Sequence, residues 1–250
     1  ITGGKFINKS GAPRASGVWA YGSAGVENLQ ISGGTFDKRD KSTFSKFIAE
    51  GYSVDAKTGE IKTAATGATL NKSELTLKAG LSETLTATVS PESAEIQTVT
   101  WTSSNEKIAK VLSTGKVTGY SEGTAIITAT PAGSKTGVSC TVTVTMGDAA
   151  VGDKQYATLA DAISKGMTTS GKTVTLLTDV TESVTFPNIK RNYTLNLNGH
   201  TITNDGGDTI TVGAKATLTI TGEGTVDNVT NGKAAIVNNG TLTLNGGTYT

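Results

Sequence analysis

Thr194-Leu195-Asn196-Leu197-Asn198-Gly199, Thr217-Leu218-Thr219-Ile220-Thr221-Gly222 and Thr241-Leu242-Thr243-Leu244-Asn245-Gly246 are one phrase written three times. Leu195, Leu218 and Leu242 recur at intervals of about 23 to 24 residues, the length of one solenoid turn. Within each phrase apolar residues alternate with Thr or Asn, so one face of a short strand is buried and the other is wet. Stacked in register, such strands line up their inward residues as ladders, and each backbone edge pairs with the next coil. The Asn and Gly that follow each strand supply the positive φ a corner needs.

Working outward, the phrase returns near the start as Asn28-Leu29-Gln30-Ile31-Ser32-Gly33-Gly34-Thr35-Phe36. Its ending recurs as Gly3-Gly4-Lys5-Phe6 and Gly246-Gly247-Thr248-Tyr249. Residues 1–36 therefore read as solenoid as well. Ser42-Thr43-Phe44-Ser45-Lys46-Phe47-Ile48 predicts a short helix, N-capped by Ser42 and stopped at Gly51, that caps an open solenoid end. Leu159-Ala160-Asp161-Ala162-Ile163 predicts a second capping helix at the opposite end. Between the caps, residues 69–146 break into about seven short alternating strands, such as Glu83-Thr84-Leu85-Thr86-Ala87-Thr88-Val89 and Cys140-Thr141-Val142-Thr143-Val144, the pattern of a β-sandwich.

Composition agrees. Of 250 residues, 31 are glycine and only 5% are aromatic, with Thr abundant, which favours short strands and tight turns over helices. The net charge of +1 is spread without a basic stripe, so nucleic acid is not an expected partner. No apolar run reaches the ~18 residues of a membrane span. A single cysteine excludes an intrachain disulfide. The opening Ile1-Thr2-Gly3-Gly4 reads like the middle of a structure, which leads us to expect a piece of something longer.

The middle segment resembles the bacterial immunoglobulin-like group 2 domain. The resemblance is carried by Leu75-x-Leu77-x-x-Gly80, Leu85-x-Ala87-x-Val89-x-Pro91, Trp101-x-Ser103-Ser104-Asn105, Ile108-Ala109-x-Val111, Gly115-x-Val117-Thr118-Gly119 and Gly123-Thr124-Ala125-x-Ile127, in family order. It implies a spacer in an extracellular protein. The flanks are similar to right-handed parallel β-helix regions of large repetitive bacterial surface proteins. That similarity rests on Tyr156-Ala157-Thr158-Leu159-x-x-Ala162-Ile163, Thr173-Val174-Thr175-Leu176-Leu177-x-Asp179, Leu195-Asn196-Leu197-Asn198-Gly199-His200-Thr201-Ile202 and Ile31-Ser32-Gly33-Gly34-Thr35-Phe36.

Several residues invite a chemical role. His200, the only histidine, is the first candidate for a general base, but it sits in a corner phrase of the repeat. Asp205, Asp208, Glu223 and Asp227 fall in turns at irregular offsets, unlike the facing carboxylates of glycoside hydrolysis. Asn204-Asp205-Gly206-Gly207-Asp208 offers calcium-type oxygens yet lacks the downstream Glu of an EF-hand loop, and reads equally as turn chemistry. Thr217 and Thr219 over Thr241 and Thr243 would form a hydroxyl array like the flat faces of ice-binding solenoids; Thr is also the ordinary polar choice on an exposed strand. Trp101 and Cys140 are expected in the sandwich core. Trp19 and Tyr21 have no assigned packing role, and projecting from a coil they would bind glycan.

The expectation is an all-β chain in which parallel β-helix segments flank an immunoglobulin-like β-sandwich, with short capping helices. It divides as 1–66, 67–147 and 148–250. No catalytic residue, metal or cofactor is expected. The expected role is a structural segment of an extracellular bacterial surface fibre or adhesin stalk, at the cell surface or cell wall. Its end coils, marked by Ile1, Phe6, Leu242, Leu244 and Tyr249, would stack on copies of itself or adjacent repeats. The alternatives are a glycan-binding adhesive module, taking host or dietary glycan, and a non-catalytic fragment of a polysaccharide-active enzyme.

Overall fold

A computed structural model describes residues 5–6, 32, 35–36, 48–55, 57–204 and 206–250. The architecture is all-β: an immunoglobulin-like sandwich leads directly into a β-solenoid of about three turns. Near the N-terminus, Lys5–Phe6 and Thr35–Phe36 form a parallel pair, with Lys5 beside Thr35 and Phe6 beside Phe36. Ile1, Trp19, Tyr21 and residues 42–47 of the first expected helix lie outside the described residues.

Nine strands run between Gly67 and Thr145. One sheet orders Glu74–Lys78, Val138–Thr145, Gly123–Pro131 and Val99–Ser103, with its first two strands parallel and the others antiparallel. A second sheet orders Ala109–Val111, Lys116–Gly119 and Ser82–Thr84, and Gly67–Leu70 pairs with Ala87–Ser90. In Val138–Thr145 the alternation is strict: Cys140, Val142 and Val144 are buried while Ser139, Thr141, Thr143 and Thr145 face out. They join Leu75, Leu77, Leu85, Val117 and Ile127 in one core, against which Trp101 packs. Gly115 belongs to that packing. Its φ is +81°, and a Cβ there would lie 2.2 Å from the Leu85 carbonyl oxygen and 3.1 Å from the Trp101 ring, so only glycine fits.

The hairpin Tyr52–Val54 and Ile61–Thr63 docks on the sandwich. Gly51 N–H donates to the Gly133 carbonyl (3.0 Å), and Thr63 bonds the Glu95 carboxylate through both backbone and hydroxyl.

The solenoid begins where Ala149–Val151 pairs antiparallel with both Lys154–Tyr156 and Lys172–Leu176. Lys172–Leu176, Arg191–Asn196, Ala216–Thr221 and Thr241–Asn245 then stack in parallel as the long face. A second face stacks Val180–Thr181, Thr201–Thr203, Thr225–Asp227 and Thr248–Tyr249. The third stacks Val184–Phe186, Ile210–Val212 and Ile236–Asn238. Inward ladders such as Val180, Ile202, Val226, Tyr249 and Val184, Ile210, Ile236 fill the centre. Phe186 and Tyr193 meet there edge-to-face at 5.3 Å.

The ladder departs from the phrase alignment by one rung position. Leu195 stands beside Ile220 and then Leu244, while Leu218 stands beside Tyr193 and Leu242. A slip of two residues keeps every side chain on its own face, so alternation alone cannot detect it. At the corner after Asn196, Asn198 takes φ +51°, the one non-glycine positive φ among the described residues, and its side-chain amide donates to the Leu176 carbonyl at 2.9 Å.

The second expected helix forms as a single turn, Leu159–Asp161, that widens into a π-turn over Ala162–Gly166. Thr158 caps it by accepting from the Asp161 N–H, and Leu159, Ala162 and Ile163 lie on the solenoid core, closing the end of the first coil.

Candidate functional site

Three carboxylates of the solenoid, Glu182, Asp208 and Asp179, accept from its backbone. Glu182, in the turn between the second and third faces, accepts from the N–H groups of Leu159 (2.9 Å) and Ala160 (3.0 Å) and so holds the start of the capping helix. Asp208 accepts from Ala234 N–H, and Asp227 from the Thr250 hydroxyl. Asp179 accepts from Thr201 N–H (2.8 Å) and lies 3.3 Å from His200 Nδ1. The amide of Thr201, assisted by His200, holds the Asp179 carboxyl below its usual range. His200 thus faces one exposed carboxylate at a coil corner. Asn204 joins two coils: its side-chain amide donates to the Gly207 carbonyl in its own turn and to the Thr230 hydroxyl on the next coil, and its side-chain carbonyl accepts from Val229 N–H. Among the described residues no group of three or more His, Cys, Asp or Glu is placed to hold a metal ion. The Cys140 thiol is fully buried, and burial pushes its pKa up, away from the thiolate a nucleophile needs.

The outward Thr rows form as read: Thr217 and Thr219 stand beside Thr241 and Thr243, continued by Asn192 and Thr194 on the preceding coil. In the last coil, Leu242 and Tyr249 pack partly on the core, with the Tyr249 hydroxyl donating to the Gly246 carbonyl, and Leu244 keeps 46% of its surface exposed.

Sequence reading missed the joint between sandwich and solenoid. Strand Val138–Thr145 passes through Met146-Gly147-Asp148 straight into Ala149–Val151, so no free linker separates the two units. Asp148 Oδ1 accepts from Lys78 Nζ on the sandwich (2.8 Å) and from the Thr178 hydroxyl on the first coil (3.0 Å). Its backbone bonds Tyr156 and Leu177. Gly80, at φ +94°, brings the sandwich loop so close that a Cβ would stand 3.0 Å from the Ala157 nitrogen. The one legible signal was Gly80 itself, quoted as a motif residue whose close approach to a second unit no spacing reveals. Beside this seam a cleft of about 480 Å³ opens. Lys107, Tyr120 and Ser121 line it from the sandwich, with Asp153 and Lys154 opposite on the first solenoid hairpin.

Such an arrangement defines an immunoglobulin-like domain joined to a solenoid without a free linker. Residues 64–142 match the family model of the bacterial Ig-like domain (group 2), in agreement with the motifs from Leu75 to Ile127. Domains of this group are typically found in extracellular or surface proteins. A lacto-N-biosidase of Bifidobacterium bifidum is 51% identical over 71 residues, which is 28% of this chain and 6% of that protein. An alpha-L-arabinofuranosidase of Bifidobacterium longum subsp. longum is 54% identical over 65 residues, 26% of this chain and 6% of that protein. A 3-O-alpha-D-galactosyl-alpha-L-arabinofuranosidase from the same subspecies is 34% identical over 131 residues, 50% of this chain and 11% of that protein. The chain thus spans about a tenth or less of these curated relatives, and the first two similarities cover an Ig-like segment only. No helix among the described residues is long and apolar enough to cross a membrane.

Proposed function

We propose that this segment is a non-catalytic structural module of a larger extracellular bacterial protein, a surface fibre, adhesin stalk or carbohydrate-active enzyme. It holds active parts at a fixed distance and orientation. The observation that carries this reading is the joint: Lys78, Asp148 and Thr178 tie a spacer to a solenoid where a flexible linker would otherwise stand. The Ig-like similarity to glycosidases supports an accessory place beside a catalytic domain.

The division into 1–66, 67–147 and 148–250 belongs to the same proposal, as does stacking of the end coils on neighbouring copies. Phe6, Leu242, Leu244 and Tyr249 sit on the strands that would meet, and Ile1 precedes them. Sedimentation velocity over a hundredfold concentration range tests the stacking. Concentration-dependent growth that Leu244→Lys abolishes is expected; a strictly monomeric chain throughout removes it. A second reading is a glycan contact through Trp19 and Tyr21, in keeping with relatives that act on glycans. A glycan array on which Trp19→Ala binds as well as the parent chain removes that.

A further inference from the structure

We infer that the cleft at the seam is a binding site for an acidic saccharide, a role that goes beyond the structural reading and is independent of Trp19 and Tyr21. Its place favours a ligand site: it lies between two units, where concavities form and where groups from both sides converge. At about 480 Å³ it falls within the range of small-molecule sites.

The chemistry of the walls selects the ligand. Tyr120 is large and aromatic yet 46% exposed, on a surface where few aromatics stand open. Its ring offers a flat apolar face and its hydroxyl a polar rim, the combination that suits the C–H face and hydroxyl edge of a sugar ring. Lys107 on the sandwich and Lys154 on the hairpin both line the cleft, so two cationic residues border it. Neither takes part in an ion pair among the described residues, whereas Lys78, a short way along the seam, is paired with Asp148. Lys154 lies 4.9 Å over the Tyr156 ring, which positions its head without neutralising it. Asp153 supplies the one carboxylate, an acceptor for sugar hydroxyls. Two cations against one anion leave a net positive cleft that a uronate carboxylate complements.

The site is composite. Lys107 and Tyr120 come from the sandwich and Asp153 and Lys154 from the hairpin, beside the close approach of Gly80 to Ala157 and near the Lys78–Asp148–Thr178 contacts. Prealigned walls lower the ordering cost of binding.

The test is titration of the 250-residue chain with trigalacturonate, followed by calorimetry and by amide chemical shifts, with neutral maltotriose as control. Saturable binding into the millimolar range is expected, with shifts at Lys107, Tyr120 and Lys154. Tyr120→Ala should weaken it about tenfold or more, and Lys107→Ala and Lys154→Ala each about five- to tenfold. Unchanged melting temperatures of these surface variants show that folding is intact. Trp19→Ala should bind as the parent does, so failure at the seam and failure at Trp19 are read separately. Absence of saturable binding, equal binding of maltotriose, or binding that Tyr120→Ala leaves unchanged would each overturn the inference.

Discussion

At the scale of the residue, Asp179 and His200 serve a coil corner. Asp179 shows the electrostatic consequence. Its carboxyl sits below the usual range because Thr201 N–H, and then His200, favour the charged form. A depressed folded-state pKa contributes stability that is present above the unfolded carboxylate value of ~3.9 and is lost as pH falls through the folded value. Asp179→Asn is therefore expected to melt below the parent chain at pH 7 and to match it near pH 2. Thermal unfolding at the two values checks this, and a gap that persists at the acid end would assign the effect to packing. The corner role of His200 was legible from its phrase, because Asn-Gly before a strand announces a positive φ. Its partner Asp179 was not, since residues 21 apart in sequence meet only once coils stack.

At the scale of the element, the capping helix is too short to hold itself, for one turn fixes many dihedrals and gains few hydrogen bonds. Two things compensate. Leu159, Ala162 and Ile163 bury against the first coil, and the Glu182 carboxylate satisfies two of its free N–H groups. Glu182→Ala should cost about 1–2 kcal/mol by chemical denaturation, with faster amide exchange at Leu159 and Ala160. Glu182→Gln, which keeps one acceptor, should recover part of that loss, and a silent Glu182→Ala would mean that burial alone holds the turn. The helix itself was visible in Leu159-Ala160-Asp161-Ala162-Ile163. Glu182 was invisible because nothing local ties residue 182 to residue 159. The strands were legible for the same physical reason that their register was not: a period of two names the face of each residue, and a slip of two, from Leu195–Leu218 to Leu195–Ile220, leaves every face unchanged.

At the scale of the whole molecule, sandwich and solenoid act as one lever only if the joint is stiff. Asp148→Ala removes the acceptor shared by Lys78 and Thr178, and should cost about 1–2 kcal/mol, moderated by the partial exposure of Lys78. The parent chain is expected to melt in one transition and to scatter X-rays as a single rigid shape. The variant should show two transitions and a broadened distance distribution, and a variant indistinguishable from the parent would leave the joint to the continuous backbone at Gly147.

The sequence by itself determined the all-β class, the Ig-like segment and the inward residues of the coils, because alternation, turn residues and dense motifs are local properties of the chain. Tertiary structure alone decided the rung partners, the Glu182 cap, the Asp148 joint and the cleft between Tyr120 and Lys154. Each of these depends on the relative placement of strands or units far apart in sequence, which side-chain order along a single strand does not encode.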